Sequence, residues 1–222
     1  MNHETSSSVS DKPVRKQQQR SVVTRQKLLD AAIEAFSENG FKGTSTRDIA
    51  KRAGVHHPLI TYHFKNKDQL WRAAADGVFS DFRRSLAASL EHHQNEDPKQ
   101  RMASMIRAYV YYAKSQPALH KVMVQEASYP SPRLDWLVET HLQPFFDATF
   151  TMLKELQALG IAVPGNPRLL FNMIRLSSGG LLALGQELNA SSGIDVNDDA
   201  TLDEIADMIV NVFLPGEMPQ MT

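Results

Sequence analysis

"STRDIAKRAGVHHPLITYHF", residues 45–64, is the stretch on which the reading of this chain turns. Ser45 is a residue whose hydroxyl can accept from an N–H at the start of a helix, and Asp48, three residues on, completes a capping box. A short helix over 46–53 follows, and Gly54 breaks it, free of the restrictions a Cβ imposes. A second helix begins within 56–58, where Pro58 is tolerated because first-turn N–H groups have no helical partner, and it closes near Phe64. Ala50 is small where the second helix crosses, and Ile49, Ala53, Val55 and Ile60 supply the apolar contacts that hold the crossing angle. Two short helices joined at a glycine with this spacing are a helix-turn-helix.

Working outward, Leu29, Ala32, Ile33 and Phe36 fall at i, i+3, i+4 and i+7, which predicts a helix over 24–39 started by Thr24 and ended by Gly40. Ile33 and Phe36, with Phe64 and Leu70, complete a three-helix core. A fourth helix, capped by Asn66, carries an apolar stripe of Trp71, Ala75, Val78, Phe82 and Leu86. The polar run 92–100 breaks the pattern. Helical periodicity resumes at 101–115, 117–127, 134–159, 167–189 and 201–214, with turn signals between and no sustained period-2 alternation. The expected fold is all-α. A flexible basic arm occupies 1–20, a helix-turn-helix domain 21–82, and a larger helical domain 83–222.

Composition narrows the function classes. With Cys 0, disulfides, thiolate zinc sites and a cysteine nucleophile are excluded. No stretch approaches the run of apolar residues that a membrane span requires, and the N-terminal residues lack an apolar core, so a soluble, cytoplasmic protein is expected. The net charge of -1 conceals an asymmetry: residues 1–72 hold 13 Lys+Arg against 7 Asp+Glu, and the remainder holds 11 against 18. A basic first third suits a polyanion, of which nucleic acid is the default. Glycine-rich phosphate loops, metal-ligand motifs and a nucleophile–base pair are absent, so no enzyme, cofactor or metal is expected. His56, His57 and His63 do not form a metal site, because adjacent side chains on a helix point about 100° apart and no carboxylate or cysteine completes the set.

"LLDAAIEAFSENGFKGTSTRDIAKRAGV" (28–55) and "YHFKNKDQLW" (62–71) resemble the DNA-binding domain of the TetR/AcrR family of bacterial transcriptional regulators. The resemblance runs from about Val22 to Phe82; beyond it, agreement is limited to helical character and length. It implies that the second helix of the pair enters the major groove of double-stranded DNA, with His57, Pro58, Leu59, Thr61, Tyr62 and His63 on or beside it. It also implies that Arg47 reaches a base edge, where an arginine can hold guanine O6 and N7. Ser45, Thr46 and Lys67 fall where phosphate contacts are made, and Lys12, Arg15, Lys16, Arg20 and Arg25 would add sequence-independent attraction or enter the minor groove. Two positions depart from the family pattern. His56 stands where serine is frequent, which removes a helix cap, and Thr61 stands where tyrosine is frequent, which shortens its reach.

In the C-terminal segment, "RLLFNMIRLSSGGLLALGQEL" (168–188) places Leu169, Met173, Leu176, Gly180 and Leu184 near one face. "TLDEIADMIVNVFL" (201–214) does the same for Leu202, Ile205, Met208, Ile209, Val212 and Phe213. Either stripe could be intrachain core; the resemblance implies that these helices pair with their two-fold copies in a homodimer reading a near-palindromic operator. Between the two regions Tyr109, Tyr112, His120, Met123, Glu126, Phe146 and Phe150 form an aromatic and methionine lining suited to a small, mostly apolar effector, although ordinary helical core would have the same composition. The expected function is that of a ligand-responsive repressor. The alternatives are a DNA-binding adaptor controlled by a protein partner, a small helical enzyme and, least favoured, a membrane-surface binder, since the arm lacks interleaved apolar residues.

Overall fold

The computed structural model describes residues 11–216, and side chains from Gln17 onward. The described residues are helical and contain no strand. Helix α1 spans Asp11–Gly43, α2 Thr46–Ala53, α3 Pro58–Phe64 and α4 Lys67–His92. The C-terminal part contains α5 (Pro98–Ser115), α6 (Pro117–Ala127), α7 (Pro132–Leu137), α8 (Gln143–Ala158), α9 (Pro167–Arg175), α10 (Leu181–Ala183), α11 (Gly185–Ser192) and α12 (Asp199–Phe213). Two compact units are present, Met1–Ala74 and Ala75–Thr222, and they divide inside α4, a little before the boundary expected at 82/83.

In the N-terminal unit, α1 begins well before the position expected for it. Residues 11–20, read from sequence as arm, are helical, and Thr24 lies within the helix and caps nothing. Glutamine, lysine and arginine are good helix formers, and extending an existing helix adds a hydrogen bond per residue without a new nucleus. Residues 1–10 of the arm, and the side chains of Lys12, Arg15 and Lys16, lie outside the described residues. The helical path of α1 is interrupted at Gly40 (φ 69°, ψ 173°), the glycine expected to end it. Just beyond, the buried Thr44 hydroxyl donates to the carbonyls of Gly40 (2.7 Å) and Ala35 (3.0 Å), tying the linker back to the helix it leaves. The core of this unit is Leu28, Phe36, Ile49, Ile60, Phe64, Leu70 and Trp71. Ile33, Ala53 and Val55 are only partly covered.

The C-terminal unit has two short π-helical turns, Val138–Leu142 between α7 and α8, and Leu176–Gly180 between α9 and α10. The first explains why the continuous helix expected over 134–159 is widened: Pro144 has no N–H for the carbonyl four residues back, and a π turn absorbs the mismatch. The helix expected over 167–189 is interrupted at Leu184 (φ -96°, ψ 13°), after the two glycines of the second π turn. Gly185 follows, and a Cβ there would meet the Val196 side chain at 2.5 Å. Helices α5 and α12 pack along each other. An exposed row of Arg107 with Asp203 and Asp207, Tyr111 with Asp203, and Lys114 with Asp199 lies along the seam.

Candidate nucleic-acid interface and ligand crevice

Helices α2 and α3 carry the candidate interface. Ser45 is extended (φ -102°, ψ 149°) and its hydroxyl oxygen accepts from the Asp48 N–H at 3.1 Å, while that hydroxyl also donates to the Asp48 carboxylate. Gly54 closes α2 in the left-handed conformation (φ 65°, ψ 35°), and its N–H donates to the carbonyls of Ala50 and Lys51. The turn is then fixed by Val55 N–H on the Ala50 carbonyl at 3.0 Å. Helix α3 starts without a side-chain cap; its cap position is His57, one residue beyond the expected His56, and Pro58 occupies its first turn. In place of a cap, the His57 Nε2 and the Thr46 hydroxyl are hydrogen-bonded at 3.0 Å, linking the start of α3 to the start of α2.

The exposed face of α3 is narrower than the sequence suggests. His57, Pro58, Thr61 and Tyr62 are exposed, Tyr62 to 75%. Leu59 and His63 are half-buried; His63 meets the rings of Tyr62 and Phe64, and burial together with nearby Arg25 holds its pKa below the ordinary imidazole value. Arg47 is exposed and makes no ion pair or hydrogen bond among the described residues. Arg52, by contrast, is committed to Glu34 and Glu38 of α1. Lys67 is partly covered, its ammonium 4.4 Å from the centre of the Phe41 ring. The face therefore offers a free guanidinium, a phenol, hydroxyls and a helix N-terminus. These groups suit contact with base edges and phosphates.

In the C-terminal unit, two narrow crevices share a wall made of Tyr109, Phe145 and Arg175. Together with the open space at their mouths they take up about 330 and 320 Å³, little of it wide enough for more than a water molecule. One continues among Met102, Ile106, Leu153 and Phe171, the other among Phe79, Phe82, Arg83 and His141. Of the residues expected to line an effector site, Tyr109, Met123 and Phe146 line these crevices. His120 lies behind the wall, buried, its Nε2 hydrogen-bonded to the Tyr109 hydroxyl at 2.9 Å. It fits there because Gly179 has no side chain; a Cβ would stand 1.9 Å from that nitrogen. Burial pushes the His120 pKa down to about 4, with nearby Arg175 adding to the effect.

Besides His120, three of the residues expected to line the site stand outside the two crevices. Glu126 is buried in an ion pair with Arg133 at 3.1 Å and also accepts from Ser131, so it is structural. Tyr112 donates to the Val78 carbonyl at 3.0 Å, and Phe150 packs on Phe146 and Phe171; neither lines either of these two crevices. Sequence reasoning passed over Phe145, Phe171, Arg83, Arg175 and His141. An arginine inside the apolar run "LLFNMIRL" (169–176) was the available signal. For His141, on the first π turn and stacked on Phe79 at 5.0 Å, no periodicity could have served.

The C-terminal stripes sort by exposure. Leu169, Met173, Leu176, Leu184, Met208 and Val212 are each more than half exposed. Gly180 and Ile205 are intermediate, while Ile209, Leu202 and Phe213 are buried within their own chain, so Ile209 leaves the candidate interface. No helix among the described residues is long and apolar enough to cross a membrane.

Residues 28–74 match the family described as bacterial regulatory proteins, tetR family. The HTH-type transcriptional regulator RutR of Escherichia coli (strain K12) is 22% identical over 193 residues, covering 87% of this chain and 90% of that protein. The HTH-type regulator YttP of Bacillus subtilis (strain 168) is 24% identical over 121 residues, and the chain spans 58% of its length. In three dimensions, the fatty acid degradation regulator FadR of Bacillus halodurans aligns with a TM-score of 0.63 at 17% identity, over 84% of this chain and 94% of that one. The helix-turn-helix capped, turned and exposed as described above lies within the matched residues 28–74, so this segment is of the tetR-family type, and the chain is similar to HTH-type transcriptional regulators over most of its length.

Proposed function

We propose that this regulator is a ligand-responsive homodimeric repressor that binds a palindromic operator. The observation that carries the reading is the exposed face formed by Tyr62, Thr61 and His57 beside an Arg47 that has no partner among the described residues. A guanidinium held in a salt bridge is unavailable to bases; this one is free. The exposed stripe from Leu169 to Leu184, with Met208 and Val212, is a large apolar surface of the kind that soluble proteins cover by association. A two-fold copy would cover it and would space two α3 helices for the two halves of a palindrome.

Ligand response follows from the crevices and from α4. That helix contributes Phe79, Phe82, Arg83 and Leu86 to their walls, and its first two turns, Lys67–Ala74, belong to the N-terminal unit. The crevices are too narrow for an organic ligand as they stand. A ligand would therefore favour an arrangement with the walls parted, and this difference in affinity between arrangements is the free energy available to move α4 and release DNA.

Selection from random duplexes, followed by binding across a salt series, tests the reading. An enriched palindrome is expected, with a steep loss of affinity as salt rises. Arg47→Ala should lower discrimination at one base position by about 1–3 kcal/mol, with the fold intact by circular dichroism. Binding indifferent to Arg47 and Tyr62 would mean that α2 and α3 are scaffold.

A further inference from the structure

The two crevices are apolar except at a few points, and the charged ones all have the same sign. Arg175, at the end of α9, lies in the wall shared by both. Its hydrogen bonds go to the neutral Asn172 amide oxygen, from Nη2 at 3.2 Å and Nε at 3.4 Å. Asn172 is itself turned by its own amide, which donates to the Arg168 carbonyl at 2.9 Å. No carboxylate pairs with Arg175 among the described residues. The second cation, Arg83, approaches His141 Nδ1 at 3.0 Å and Ser80 Oγ at 3.2 Å, and it too has no carboxylate partner. His141 turns its other nitrogen toward Asp76 at 3.4 Å, without hydrogen-bond geometry, and Asp76 is exposed.

No Asp or Glu lines either crevice. The one buried acid among the described residues, Glu126, is committed to Arg133. A half-buried guanidinium facing rings and methyl groups is poorly compensated by one amide, because removing charge from water is costly unless an opposite charge is supplied. The Tyr109 and Thr149 hydroxyls are bonded to His120 and to the Phe145 carbonyl, and the remaining wall of Phe145, Phe171, Leu153 and Phe82 suits a hydrocarbon body.

We propose that the crevices together form the site of an apolar carboxylic acid, its carboxylate held by Arg175 and its hydrocarbon body among Phe145, Phe171 and Leu153. The planar fork of a guanidinium matches the two oxygens of a carboxylate. Asn172 holds the side chain in place before the ligand arrives. This assignment rests on the ligand-responsive reading above and adds the chemical class of the ligand.

The test uses the full-length protein and two matched pairs of probes, decanoic acid with decanamide and 4-phenylbutyric acid with 4-phenylbutyramide. Binding is read by calorimetry and by the shift in Tm, and operator release by a separate DNA-binding assay. At least one acid is expected to bind and raise Tm while its amide binds tenfold or more weakly; which pair responds separates an aliphatic from an aromatic body. Arg175→Met should weaken the acid by at least tenfold, and Arg175→Lys should restore part of the loss. Without ligand, Arg175→Met should be no less stable than the wild type, whereas a merely structural arginine would lower Tm when removed. Equal binding of acid and amide, unchanged acid affinity in Arg175→Met, or no binding by either acid would overturn the assignment. An acid that binds through Arg175 without releasing DNA leaves the site standing and removes the ligand-responsive reading. Release of DNA by the amides, unaffected by Arg175→Met, does the reverse.

Discussion

Lys65 occupies a conformation that L-residues avoid, φ 64° and ψ -52°, and it is the one described non-glycine residue at positive φ. It forms a tight γ-turn in which the Asn66 N–H donates to the Phe64 carbonyl at 2.7 Å, so the chain leaves α3 and enters α4 almost without a linker. Such a turn stores strain that glycine would not feel. Lys65→Gly should therefore raise stability by about 0.5–1 kcal/mol, net of the entropy glycine adds to the unfolded chain, and urea unfolding measures it. His120 sets a second prediction. Its folded pKa of about 4 lies below the usual 6.5, so the folded state binds fewer protons than the unfolded one between those values. The contribution is fully present above about pH 6.5 and is lost as pH falls toward 4, by roughly 3 kcal/mol in total. Urea unfolding across that window, compared with His120→Gln, should show the wild type losing the greater part of this difference. Parallel curves would sink the assignment.

At the scale of elements, α2 depends on its ends. It is short, and Ser45 satisfies an N–H that would otherwise be unpaired while Gly54 closes the last turn. Ser45→Ala should cost about 1 kcal/mol, seen as a fall in the Tm of the N-terminal unit, and should weaken DNA binding evenly across sequences. The two π turns act differently. One places His141 beside Phe79 and Trp136, and the other puts Gly179 opposite His120. Gly179→Ala should displace His120 and break its bond to Tyr109, costing about 1–3 kcal/mol as overpacking. Chemical denaturation would show it, and retention of wild-type stability would mean the π turn shifts to make room.

For the whole molecule, the exposed stripe is the question. Met208→Glu should leave the isolated chain folded, since Met208 is 59% exposed. In a dimer that buries this stripe, the same substitution should weaken association by roughly 2 kcal/mol, about thirtyfold. Sedimentation equilibrium reads this directly, and an unchanged association constant would place the interface elsewhere. Ile209→Glu serves as the contrast, because its position is in the core and it should unfold the unit.

What could be read without coordinates was governed by neighbours in the chain. The ends of α2 follow from Ser45, Asp48 and Gly54, and the start of α3 from Pro58, because capping and turn chemistry act over three or four residues. The basic first third and the family resemblance come from the same local information. The tertiary structure decided which of two adjacent apolar residues faces outward, as with Met208 and Ile209, since helical periodicity marks a stripe but not what covers it. It also decided the composition of the crevice: Arg83, Tyr109, His141, Phe145, Phe171 and Arg175 come from five helical segments and meet only through packing. A buried site of this kind has no spacing in the sequence, because the distances that matter run across helices rather than along them.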